Sequence, residues 1–208
     1  MIEKVESRWP VALAIIAFLW LLLSLPARVS LFPTWVTYAV AIAMLAPLLA
    51  VGLARDKRRW MRIERAMLLM FALLGLVVNV VALSRLVHAM LTSPSNIPPL
   101  TLLTSSVADW VANIILFALL YWLLDRGGPE GRSSGSDQPE DFTFTQGPVP
   151  REPVFVDYLA LAFNTSTAFS PTDTLPVTPR GKLLMMTQSA ISLVTVVVVG
   201  ARAINILK

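Results

Sequence analysis

The stretch with the most chemistry to offer runs from Asp157 to Thr174, where hydroxyl and amide side chains crowd into a context that is otherwise aliphatic. Asn164, Thr165, Ser166, Thr167, Ser170, Thr172 and Asp173 form a polar strip broken by Ala168, Phe169 and Pro171. Such oxygens can satisfy irregular backbone or line a water-filled path. At membrane depth polar backbone is tolerated only inside protein or beside water, which makes this strip the candidate pore surface. Asn164-Thr165-Ser166 also reads as a glycosylation triplet, but its place inside an apolar run makes the match coincidental.

Ionisable residues inside apolar runs form the second set. Arg85 and His88 lie three apart on one helical face, and Asp109 and Asn113 lie four apart on another. Counted at 1.5 Å per residue from the proline-rich turn between their two runs, Arg85 and Asp109 are each about 10 Å deep, so antiparallel neighbours would pair them. The expectation is a structural ion pair, with a proton or ion relay through His88 as the sharper alternative. Asp157 and Arg202 are expected to pair likewise near one membrane face. With one His and no Cys, disulfides, thiolate sites and multi-histidine metal sites are excluded within one chain, and the carboxylates lack metal-ligand spacing. No metal, cofactor or catalytic residue is expected. An enzyme is the weakest reading, since only His88, Asp109, Asp157 and Asp173 are available and no Gly-rich phosphate cradle exists.

The elements that must position these residues follow from composition. The 208 residues are 56% hydrophobic and 14% charged, with mean hydropathy +0.69, too apolar for a surface that faces water. Apolar runs cover Val11 to Leu25, Thr34 to Ala54, Ala66 to about Leu91, about Leu100 to Leu124, Val154 to about Phe169, and Lys182 to Leu207. Each crossing of a 30 Å hydrocarbon core takes about 20 residues, so the spacing predicts an all-α polytopic transmembrane helical bundle of about six spans. The first run has the basic start and Leu25-Pro26-Ala27 end of a signal peptide, but its length and the span that follows favour a retained helix. Between Arg55 and Arg65, six of eleven residues are basic, which places that loop in the cytoplasm. The net charge of +4 is concentrated there, where it orients a membrane protein and meets lipid headgroups; nucleic acid is not an expected partner. Three regions result: 1–126 with four spans, 127–153 as a flexible, acidic Gly/Pro/Ser-rich cytoplasmic loop, and 154–208 as a helical hairpin with a polar turn.

Two resemblances attach to the C-terminal half. The apolar helix, Thr-rich strip, polar turn Thr178-Pro179-Arg180-Gly181-Lys182-Leu183 and last apolar helix resemble the pore helix, filter and inner helix of tetrameric potassium channels. That filter uses glycines to turn carbonyls toward the ion, and none occurs from Val154 to Arg180. The segment is also similar to a domain-of-unknown-function family of bacterial inner-membrane proteins, on Leu161-Ala162-Phe163, Phe169, Thr172-Asp173-Thr174 and Ile204-Asn205. That resemblance implies a multi-span inner-membrane protein and no particular activity.

The sequence therefore predicts a multi-pass protein of the bacterial inner membrane with both termini cytoplasmic. Its expected role is structural, regulatory or partner-binding, with the lipid bilayer, a second copy of itself or another membrane protein as partner. The alternative is an ion-channel-like or transport protein that uses the Asn164 to Asp173 strip.

Overall fold

The computed structural model describes residues 7–24, 40, 42, 46, 57–92, 98–134, 138–145, 151–167 and 174–206. Helix α1 spans Trp9–Ser24, α2 Lys57–Thr92 and α3 Pro99–Leu124; a tight turn, Asp125–Gly127, leads into the short α4, Gly128–Ser134. Strand β1 (Phe142–Phe144), α5 (Phe155–Thr167), β2 (Thr174–Pro176) and α6 (Pro179–Ile206) follow.

Helix α3 is the axis of the bundle and packs against α1, α2, α5 and α6. Leu116, Phe117, Leu119, Leu120, Tyr121, Trp122 and Leu123 are buried in succession, the mark of a helix covered on every side. Edge-to-face rings fasten its neighbours: Trp122 meets Phe155 of α5 at 5.9 Å, Tyr121 meets Phe142 of β1 at 4.9 Å, and Phe18 of α1 meets Phe71 of α2 at 5.4 Å. Gly75 lets α2 approach closely, since a Cβ there would stand 2.6 Å from Leu116 Cδ2. The outer faces are apolar instead of polar, with Met70, Leu74 and Val77 of α2 and Leu183, Met186, Leu193 and Val197 of α6 exposed. An apolar exterior around a bundle with polar interior contacts suits lipid as the solvent.

Pro99 starts α3, where its missing N–H costs nothing. The helix stops where Arg126, Gly127 and Gly128 adopt φ of 49°, 75° and 77°. Gly128 has ψ of −168°, a region essentially reserved for glycine, and a Cβ would lie 2.7 Å from the Leu123 carbonyl.

Three helices are long and apolar enough to cross a membrane, over Trp60–His88, Leu103–Arg132 and Pro179–Gly200. Six spans are not supported. Helix α1, with 16 residues, is shorter than these; the run Thr34 to Ala54 falls almost wholly outside the described residues; and α5, with 13 residues, is only about 20 Å long against a 30 Å core. Within 127–153, expected as a flexible loop, α4 and β1 form and Phe142 is fully buried against the bundle.

The course of α5 decides the topology. Arg8 before α1 pairs with Glu64 of α2 at 3.1 Å, and its guanidinium lies 5.2 Å over the Trp122 ring, so α1 and α2 start at the end where α3 stops. This basic end also holds Tyr158, in the first turn of α5, and both strands, paired antiparallel with Phe142 opposite Pro176. Helix α5 thus rises from the basic end, and by Thr174 the chain has returned to it. Helix α6 starts there and finishes at the far end. Three candidate spans leave the expected placement of both termini in the cytoplasm without support.

Substituting Gly128→Ala should destabilise the protein by about 1–3 kcal/mol, whereas Gly75→Ala, which meets only the flexible end of Leu116, should cost less. Thermal melts of both variants in detergent provide the comparison.

Candidate functional site

A polar stripe runs down α3 at steps of four: Ser105, Asp109, Asn113, Tyr121 and Asp125, with Phe117 as the one apolar interruption. Four residues turn a helix through about 400°, so each step drifts by about 40° and the stripe winds around α3. Its upper part faces α2. The Asn79 amide nitrogen, turned toward α3, lies 3.2 Å from both Asp109 Oδ1 and the Asp109 carbonyl.

Lower down, the stripe meets α5 and α6. Asn113 Nδ2 donates to Ser192 Oγ (2.9 Å), Ser192 Oγ donates to Ser166 Oγ (2.9 Å), and Gln188 Nε2 donates to Ser166 Oγ (2.8 Å) and the Ala162 carbonyl (2.7 Å). The Tyr121 hydroxyl donates to Gln188 Oε1, closing a spine in which Asn113, Tyr121, Gln188, Ser192 and Ser166 are all buried. In lipid such bonds hold helices together, because an unpaired amide has no water to turn to. Three acceptors of the upper stripe differ: Ser105 Oγ, Asp109 Oδ2 and Asn113 Oδ1 are buried and have no hydrogen-bond partner among the described residues.

At the basic end the stripe finishes on Asp125, which is fully buried. Its Oδ1 accepts from the backbone N–H of Asp141 (2.7 Å) and Phe142 (3.4 Å), and its Oδ2 accepts from the Tyr158 hydroxyl (2.6 Å). Asp141 in turn accepts from Thr178 Oγ1 and from the Arg180 guanidinium, whose Nε lies at 2.9 Å. Thr178 caps α6 by accepting from the Gly181 N–H at 3.1 Å. The last carbonyls of α3 are covered by arginines: Arg132 Nη1 donates to Trp122 O (2.9 Å) and Asp125 O (3.1 Å), and Arg180 Nη2 donates to Leu124 O (3.0 Å).

Of the strip expected to line a pore, Thr165 and Ser166 are buried in the bundle. Thr165 and Thr167 bond back to the carbonyls of Leu161 (2.8 Å) and Phe163 (3.0 Å), Ser166 is the hub of the spine, and Asn164 is half-buried. Ser170, Thr172 and Asp173 lie outside the described residues. Arg85 is exposed on α2, no ion pair joins it to Asp109 among the described residues, and the partner that Asp109 meets is Asn79. His88 lines an open groove of about 580 Å³ with Ser84, Val87, Ile191 and Val194. The expected Asp157–Arg202 pair is corrected. Both α5 and α6 start at the basic end, so Arg202, 22 residues past Arg180, belongs to the far end, about 33 Å along the helix. Asp157 is instead held by Arg151, at 2.7 and 2.6 Å, and accepts from the Val154 N–H at 2.8 Å, the N3-to-N-cap half of a capping box.

Asp125, Asp141, Tyr158, Arg180, Gln188 and Ser192 carry the site without having been singled out from the sequence. The signal was the four-residue spacing on α3 and its echo in Gln188 and Ser192 on α6. No protein-family model, curated protein or solved structure matches the chain. The site is therefore read from its own geometry.

Burial pushes the Asp157 carboxyl up, but hydrogen bonds from Arg151 and the Val154 N–H and the charge of Arg151 together bring it below its ordinary value of 3.8. A lowered folded value means stability that is present above 3.8 and lost as pH falls below it. Melts across acid pH should show this segment in the wild type and not in Asp157→Asn. With Arg151 more than half exposed, the gain at neutral pH should be only about 0.5–1 kcal/mol. Tyr158→Phe, which strips one donor from a buried carboxylate, should cost about 1.5–3 kcal/mol in the same assay.

Proposed function

We propose that this is a multi-pass inner-membrane protein with a pore or transport role, in which α5 is a re-entrant half-helix entering from the cytoplasmic side. The observation that carries the reading is that α5 begins at the basic end and the chain is back there at β2, while the tip of α5 is held deep in the bundle, where Trp110 Nε1 reaches the Ser166 carbonyl at 3.5 Å. A half-helix that ends at membrane depth points the negative end of its dipole there, an arrangement that favours a cation. The unfilled oxygens of Ser105, Asp109 and Asn113 lie on α3 at the height of that tip and above it.

The spine below these oxygens is closed, so the upper stripe of α3 is the stretch left to meet an ion. A homo-oligomer is part of the proposal, and α6, most of whose apolar span is unburied, offers the surface for it. By the positive-inside rule the basic end faces the cytoplasm, which puts the start of α1 inside and the end of α6 outside.

A structural or partner-binding role is the second reading, and the saturated bonds among Tyr121, Gln188, Ser166 and Ser192 favour it. Because the chain contains no cysteine, single introduced cysteines report topology cleanly. Leu175→Cys should be labelled from the cytoplasmic side and Asn205→Cys, in the last turn of α6, from the outside; labelling of both from one side would remove the re-entrant course. Cation flux into vesicles holding the protein should fall with Asp109→Asn, which alters one of the unfilled oxygens. Absence of flux in the unaltered protein would leave the scaffold reading standing.

A further inference from the structure

A separate cavity of about 310 Å³ opens at the basic end, lined by Arg65, Leu124, Gly127, Glu130, Gly131, Gln138 and Arg180. Its two cations come from different helices. Arg65 lies in α2, five residues above the exposed Trp60, whose ring is the kind of marker found at headgroup depth. The Arg65 Nε is buried and has no hydrogen-bond partner among the described residues. The turn is shaped to admit it, since a Cβ on Gly128 would stand 3.3 Å from that nitrogen. Arg180 uses Nε and Nη2 on Asp141 and Leu124 O, and its side chain remains about half exposed. A buried guanidinium nitrogen without an acceptor is costly, and a planar donor fork matches phosphate oxygens.

We propose that this cavity binds the phosphodiester of a lipid headgroup, with Arg65 and Arg180 on the phosphate. Glu130 on the wall disfavours a dianion and suits a headgroup that carries an ammonium beside its single negative charge. The depth of Arg65 on an apolar span selects a lipid over a free phosphate, whose chemistry at the arginines would be the same. This assignment is independent of whether the bundle conducts ions.

The test uses the full chain in detergent and measures binding of dihexanoyl phosphatidylethanolamine, dihexanoyl phosphatidylglycerol, dihexanoylglycerol, glycerophosphoethanolamine and inorganic phosphate. The phosphatidylethanolamine should bind and dihexanoylglycerol should not. Arg65→Gln should weaken binding about tenfold, the equivalent of one charge-assisted hydrogen bond, with Arg65→Lys intermediate. Glu130→Gln should abolish the preference for phosphatidylethanolamine over phosphatidylglycerol, a readout that remains if Arg65→Gln does not fold. Equal affinity for glycerophosphoethanolamine or inorganic phosphate would make a soluble phosphate the source. Equal affinity for dihexanoylglycerol, or unchanged affinity in folded Arg65→Gln, would overturn the proposal.

Discussion

Where α3 stops, the carboxylate of Asp125 has no exposed surface and accepts three hydrogen bonds, two from the backbone that begins β1 and one from Tyr158 in the first turn of α5. A buried charge is tolerated only when its lone pairs are matched, and bonds to a charged group are worth about 1.5–3 kcal/mol each. The consequence reaches well beyond the carboxylate. By holding β1 and the base of α5 at one end of the bundle, Asp125 fixes where β2 must pair, and β2 fixes where α6 must begin. Thr178 and Arg180 then tie the start of α6 to Asp141, whose backbone N–H Asp125 already holds. The orientation of the last span is thus set by hydrogen bonds at its base, not by the length of the helix before it.

The long elements were legible because lipid demands a simple thing of a sequence. The runs around α2, α3 and α6 stand out by length and hydropathy, and Pro99, the glycines after Arg126, and Pro179 mark their ends in the sequence itself. What misled was counting. The run Val154 to about Phe169 holds 16 residues and yields a helix of 13, short of the about 20 that a crossing takes. That error carried into the pairing of Asp157 with Arg202, which needed α5 and α6 to run antiparallel. Arg151, six residues before Asp157 in the chain, is the nearer partner. The role of Asp141 was hidden for a related reason: its partners Thr178 and Arg180 are 37 and 39 residues away.

The stripe on α3 divides into two halves that differ in kind. From Asn113 Nδ2 down to Asp125, nearly every polar group has found a donor or acceptor on α5, α6 or β1, which is what bonding between helices in lipid requires. From Asn113 Oδ1 upward, three oxygens on successive turns of the same helix are buried and unmatched among the described residues. Buried polar groups are matched in most proteins, so a run of unmatched oxygens sets this half of the stripe apart from the other. Helix α5 ends at the boundary between the two halves, with Ser166 bonded to the lower and its carbonyl facing Trp110 at the upper. A scaffold needs the closed half and gains nothing from the open one. The proposed transport role therefore rests on the placement of the α5 terminus beside the first unmatched oxygen, on the central helix of the bundle, where the packing around it leaves least freedom to rearrange.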